Sequence, residues 1–347
     1  MNNRLARALN GELPDQVPFL PAIYEHKGWF IGETPSAVAR DARLLTKALQ
    51  VEFEQVQPDA LIVGVDIYNI EAEAIGCTVN FYDGNNTSVP AIGSDGAVFQ
   101  GTQDIASLKM PDPQKDGRMP LNLEVARTIV KLLGKEVPIR GAVSGPFSLA
   151  AHLAGPGKFF LLTMMQPNLA RDLLKFASEV IKRYGRAFAE IGCGVIMFDS
   201  HASPDLFSPE MYRDLVLPPT REIITYFHEV GVAHVPLIIG GNTTKILDAY
   251  LETGANNILC DTKADPKAFT EKCSKTRRAF RRNIDASDFL QVTSDVVYQR
   301  ALNGLKESGG YPGFILGSQV LPYGTPLSHL TAMREAIQEY EKQAASN

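Results

Sequence analysis

Short apolar runs and longer amphipathic runs alternate along nearly the whole chain, and this alternation most narrows what the chain can fold into. Strand-like runs occupy residues 17–23, 60–65, 139–143, 195–198, 235–239, 257–259, 279–282 and 313–316. Helix-like runs separate them, among them 34–51, 121–133, 168–191, 208–230 and 293–307, with a last helix over 326–341. Short, continuously apolar strands suit a parallel sheet buried on both faces. Eight of them between helices predict an α/β protein, a single (β/α)8 TIM barrel over residues 1–347. An open doubly wound sheet is the second reading, but no dinucleotide fingerprint follows the first strand. Residues 76–113, rich in Gly, Asn, Asp and Pro, break the rhythm and are expected to form an inserted excursion after the second strand, with a hairpin in it.

Charge and composition exclude several functions. The 347 residues carry a formal charge of −5, which offers no electrostatic footprint for nucleic acid or an anionic membrane. No apolar run is long enough to span a bilayer, and the polar start, MNNRLARALNGELPDQ, lacks a signal peptide's apolar core. Cys77, Cys193, Cys260 and Cys273 form no CxxC pair and no metal-type spacing. They are expected to be reduced thiols of a cytoplasmic protein.

In a barrel the site lies at the C-terminal ends of the strands, so the polar residues there are the candidates. They are Glu25 and His26, Asp66, Ser144, Asp199 and His201, Asn242, Cys260 and Asp261, Asn283 and Asp285, and Gln319. VPLIIGGNTTKIL, from Val235 to Leu247, runs from a strand through Gly240-Gly241 into a helix start, an arrangement that serves either as a ligand pocket or as an ordinary tight turn. Asn242 and Asp285 are expected to cap helices, Asn242 with a second role at the pocket. Asp66 and Asp199 end apolar runs abruptly, where an unpaired carboxylate is costly. Each is therefore a site residue or half of a structural ion pair. His152 follows the small-residue stretch SGPFSLAA, and Trp29, the single tryptophan, is either a lid or rim packing.

The order of motifs resembles the uroporphyrinogen decarboxylase superfamily, which also holds cobalamin-dependent methyltransferases. RLARALNGELPDQVPFLP resembles its opening, PDALIVGVDI its second strand, and SGPFSLAAHLAG the turn after strand three. SPEMYRDLVLPPTREII resembles the helix before strand five, and GGYPGFILGSQVLPYGTPLSHLTAMREAI the last strand and helix. The departures matter more. The decarboxylase has paired arginines after strand one to grip substrate carboxylates, and this chain has YEHKGWFIGE; His152 stands where the decarboxylase has a tyrosine. Asp66 matches the aspartate that holds the pyrrole N–H groups. The methyltransferases carry zinc on His-x-Cys after strand five and a further Cys after strand eight. The matching positions here are Ile238, Gly240 and Gln319, so the usual zinc site is expected to be absent.

The resemblance implies a divergent methyltransferase moving a methyl group between a small molecule and a corrinoid supplied by a partner protein. His152 or His201 would transfer the proton, with Asp66 or Asp199 orienting it. Glu25, His26, Trp29, Asn242, Cys260 and Gln319 would hold the substrate. A metal on other ligands, drawn from Glu25, His26, Asp66, Asp199, His201 and Cys260, is a further expectation. The alternatives are a cofactor-free decarboxylase on another substrate and a non-catalytic corrinoid or tetrapyrrole binder.

Overall fold

The expected strands form in order. A computed structural model describes residues 4–93, 95–101 and 105–345. Its main strands are β1 (Phe19–Ala22), β2 (Leu61–Val63), β3 (Ile139–Ser144), β4 (Gly194–Phe198), β5 (Pro236–Ile238), β6 (Asn257–Cys260), β7 (Ala279–Ile284) and β8 (Phe314–Val320). All pair in parallel in one curled sheet, in the order β1-β8-β7-β6-β5-β4-β3-β2. The two ends of that order meet: Asp59 N–H donates to Phe19 O at 2.9 Å, and the Phe19 N–H donates to Asp59 Oδ2 at 2.7 Å. Lys27, fully buried, adds a clasp, its Nζ donating to Ile62 O at 3.1 Å and Gly64 O at 2.7 Å. Sheet and helices together have the architecture of a (β/α)8 barrel.

Side-chain alternation splits the apolar residues into two sets. Ala142, Ile196, Phe198, Ile238 and Leu259 form one small cluster with Ala22, Tyr24 and Ile67. Val143, Val195, Met197, Leu237, Ile258 and Cys260, their strand neighbours, belong to the large core shared with the helices. The first set therefore fills the inside of the sheet. Parallel register places Arg281 beside Leu259, on that same inner face.

Prolines open many of the helices, at Pro35, Pro146, Pro156, Pro167, Pro209 and Pro266, where a missing N–H costs nothing. The helix expected over 34–51 is two, Pro35–Arg40 and Ala42–Val56, because Asp41 is extended and its carboxylate caps the second through the Arg43 and Leu44 N–H groups. The run expected over 208–230 passes through a π-helical turn, Tyr212–Val216, just before Pro218 and Pro219, which lack N–H donors. Within residues 76–113, Val79–Asn80 pairs antiparallel with Ala91–Ile92. Residues 94 and 102–104 of that stretch lie outside the described residues. Among the described residues no helix is long and apolar enough to cross a membrane.

Candidate active site

At the C-terminal ends of the strands lies a cavity of about 320 Å³. Ala22, Phe198, Ile238 and Leu259 make its apolar wall, and Tyr24, Tyr68, Ser200, Gly240, Asp261, Arg281, Asn283 and Gln319 its polar positions. A larger cavity, about 550 Å³, opens around Arg140 and Gly194 at the strands' opposite, N-terminal ends. The smaller one is taken as the site because barrel loops carry chemistry at the C-terminal face.

Arg281 dominates the electrostatics. It is only 2% exposed, and its Nε has no hydrogen-bond partner. Gly317 makes room for it, since a Cβ there would sit 2.8 Å from Arg281 Cδ. The Tyr24 hydroxyl is buried within reach of the Arg281 guanidinium and has no other partner among the described residues. Burial raises the Tyr24 pKa, and the neighbouring Arg281 cation works against that rise. Asp261 is engaged elsewhere: Oδ2 accepts from the Gly241 N–H at 3.0 Å and Oδ1 from Asn283 Nδ2 at 3.4 Å. Tyr68 and Ser200 share a hydroxyl hydrogen bond across the cavity. Gln319 Nε2 donates to Thr262 Oγ1 at 3.0 Å.

The two glycines of the Gly240-Gly241 turn after β5 have different work. Gly241 has φ +87°, and a Cβ there would press on Asp205 Oδ2 at 2.8 Å and on Ser203 Oγ. Gly240 lines the cavity, and a Cβ on it would meet only Asp261 Oδ2, at 3.4 Å. Asn242, expected as a cap, makes no side-chain cap bond, and its buried Oδ1 is unpartnered. Asp285, also expected as a helix cap, caps none, because the next helix begins at Ser294; its carboxylate closes a local turn instead, accepting from the Ser287 N–H at 2.9 Å.

Of the two aspartates expected to face the pocket, Asp66 is engaged on both oxygens, whereas Asp199 is engaged on one and its buried Oδ2 has no hydrogen-bond partner. Asp66 receives Arg118 on both oxygens, each at 2.7 Å, and Asn69 Nδ2 at 2.9 Å. Asp199 is fully buried, and its Oδ1 accepts from the Ser148 N–H at 2.7 Å, in the first turn of the helix Pro146–Ala154. Gly145 is required beside it, because any Cβ would run into the Asp199 carboxyl carbon. Burial pushes Asp199 up to about 6. Neither carboxylate is among the cavity-lining groups, and among the described residues neither hydrogen-bonds His152 or His201.

His152 and His201 do come together, their rings edge to face with centroids 5.1 Å apart; like the two aspartates, neither is among the cavity-lining groups, although His201 adjoins the lining Ser200. Burial lowers both pKa values, His152 to about 4, so both rings are neutral near physiological pH. Glu25 and His26 begin the turn Glu25–Ile31. Burial pushes Glu25 up to about 7 and His26 down to about 4, and His26 packs edge-on against Phe30. Trp29 is exposed at the rim against Tyr323. Cys260 points away from the cavity into the outer core, where burial pushes it up to about 12. The expected alternative metal ligands therefore stay dispersed: among the described residues no three His, Cys, Asp or Glu side chains gather to hold an ion. At the matched zinc positions, Ile238 and Gly240 line the cavity without a donor side chain, and the Gln319 amide is a poor substitute for a thiolate.

Arg281, Tyr24 and Tyr68 were not among the expected site residues. A signal for Arg281 was present: in AFRRNI, positions 281 and 283 are two apart and share a strand face.

An α/β barrel with a cavity at its strand ends is the class defined by this fold and site. Within that class, the chain belongs to the uroporphyrinogen decarboxylase (URO-D) family, whose model matches residues 1–340. It is 32% identical over 273 residues to methylcobamide:CoM methyltransferase MtbA of Methanosarcina acetivorans, covering 77% of this chain and 78% of that one. It is 25% identical to uroporphyrinogen decarboxylase of Pelobacter propionicus, covering 99% of this chain and 100% of that one. In fold it is similar to a methyltransferase from Methanosarcina mazei, with a TM-score of 0.86, 23% identity and 98% of each chain covered.

Proposed function

We propose that this chain, acting as one domain, moves a methyl group between a small molecule at the barrel mouth and a corrinoid carried by a partner protein. The observation that carries this reading is the cavity: about 320 Å³, largely apolar, with Arg281 as the sole cation among its described lining residues. That volume is at the small end for ligand pockets. A tetrapyrrole bearing several carboxylates needs more room and more cations, and the arginine pair after the first strand is absent. The higher identity to a corrinoid-linked methyltransferase supports the same choice.

The residues at the matched zinc positions do not fit a zinc ion, so no step is assigned to one. A small acceptor must lose its proton as it takes up a methyl group, and His201, next to the cavity-lining Ser200 and paired with His152, would receive it. The decarboxylase alternative needs Asp66 to face a cationic intermediate, but its carboxylate is already neutralised by Arg118.

The test is methyl exchange between methylcobalamin and small thiols, phenols or amines, followed by the cobalt–carbon absorbance. Exchange that persists in the presence of a zinc chelator is expected. Carbon dioxide release from uroporphyrinogen, or exchange abolished by the chelator and restored by zinc, would overturn the reading.

A further inference from the structure

We infer that the larger cavity, at the N-terminal ends of the strands, is a second binding site, for a monoanionic carboxylate with its head on Arg140 and a short apolar tail along Leu5, Leu9, Val230 and Val232. The inference goes beyond the methyl-transfer reading and concerns the opposite end of the barrel. The first helix, Arg4–Leu9, closes only part of that end, where Leu5 and Leu9 join Leu20, Ala60, Ala279 and Ile315 in one apolar cluster. Under β3 and β4 it leaves the cavity of about 550 Å³, well within the range of ligand pockets. Arg140 stands on β3 two residues before Ala142 of the inner cluster, so it shares the inward face. Gly194, its register partner on β4, keeps room for it, since a Cβ there would sit 3.3 Å from Arg140 Cγ.

Arg140 is 5% exposed, and among the described residues no hydrogen bond or ion pair engages its guanidinium. Buried Arg118, by contrast, holds Asp66 and Glu73. A guanidinium removed from water is costly unless an anion pairs with it. Burial lowers Arg140 to about 10, which leaves it protonated near neutral pH. The Cys193 thiol beside it supplies no counter-charge, because burial pushes it up to about 12 and its Sγ donates to Ile139 O at 3.4 Å. No Asp or Glu is among the described lining residues. The other basic groups there are exposed Lys135 and His234, whose Nε2 meets Asn10 Oδ1 at 2.8 Å and whose pKa burial and the Arg140 cation lower. One buried cation balances one negative charge, and its planar fork matches the two oxygens of a carboxylate. The leucines and valines of the wall then suit a hydrocarbon tail.

Binding to the full-length chain is measured by calorimetry with hexanoate, hexanamide, acetate and hexyl phosphate. Hexanoate is expected to bind about 10- to 100-fold more tightly than neutral hexanamide, as a charged hydrogen bond implies. It should exceed acetate, which lacks the tail, by about 10-fold or more. It should also exceed hexyl phosphate, largely a dianion near neutral pH. Arg140→Met should erase the preference for hexanoate over hexanamide, whereas Arg281→Met, at the other cavity, should keep it. The Arg140→Met protein should melt at or above the parent temperature, because an unpaired buried charge is removed; Arg140→Gln serves if it does not fold. Failure of hexanoate to bind, hexanamide or acetate bound as tightly, or hexyl phosphate bound more tightly would overturn the inference. So would a preference lost in Arg281→Met but kept in Arg140→Met, which would put the carboxylate at the other end of the barrel.

Discussion

Arg118 grips Asp66 with two parallel hydrogen bonds, Nη1 to Oδ1 and Nη2 to Oδ2, both 2.7 Å, across 52 positions of sequence. The same guanidinium donates from Nε to Glu73 at 2.6 Å and lies over the Phe81 ring. This ties the end of β2 to the helix before β3. Removing one partner of a buried pair leaves the other charge uncompensated and costs about 3–5 kcal/mol. Asp66→Ala should therefore lower stability by about that amount in urea unfolding, while turnover per folded molecule changes little. Lost turnover at unchanged stability would return Asp66 to the chemistry.

The paired imidazoles make the opposite prediction. His152→Gln and His201→Gln should each leave the melting temperature close to the parent and lower turnover by about 100-fold, the usual contribution of a general base. Turnover within a few fold of the parent in both variants would leave the pair as packing.

Glu71 provides the pH test. It is fully buried, accepts from the Ser144 N–H at 2.7 Å, and burial pushes it up to about 7 from an ordinary 4.5. A carboxyl raised on folding favours the native state below its unfolded pKa, and that contribution is lost as pH climbs to the folded value. Glu71→Gln should match the parent most closely near pH 4.5 and gain on it up to about pH 7, by on the order of 2 kcal/mol. Unfolding curves at several pH values with a constant difference would reject the shift. His152 acts in reverse, its stabilising contribution fading as pH falls from 6.5 toward about 4.

Neighbouring glycines should give different phenotypes. Gly241→Ala forces a side chain to φ +87° against Asp205, and a cost of about 1–3 kcal/mol is expected in unfolding experiments. Gly240→Ala puts a methyl group at the cavity edge, so ligand affinity should fall while stability holds. A stable Gly241→Ala protein would show that the turn relaxes.

Periodicity and punctuation made the architecture legible from sequence. The eight apolar runs became the eight strands in the expected order, because burial on both faces demands such runs wherever a parallel sheet passes. Prolines at helix starts and the glycines at 240 and 241 act locally, so they too could be read without the fold. The partners of the charged residues could not. Asp66 and Asp199 both end apolar runs, but Arg118 and the first turn of Pro146–Ala154 that occupy them come from distant segments. Cys260 and Leu259 are adjacent in sequence and face opposite sides of the sheet. Arg281 reads from sequence as one of two arginines in a strand. Only the register beside Leu259, and the space left by Gly317, turns it inward to line the cavity. A local pattern sets how the backbone runs, whereas electrostatic partnership depends on which chain segments closure of the sheet brings within a few ångströms.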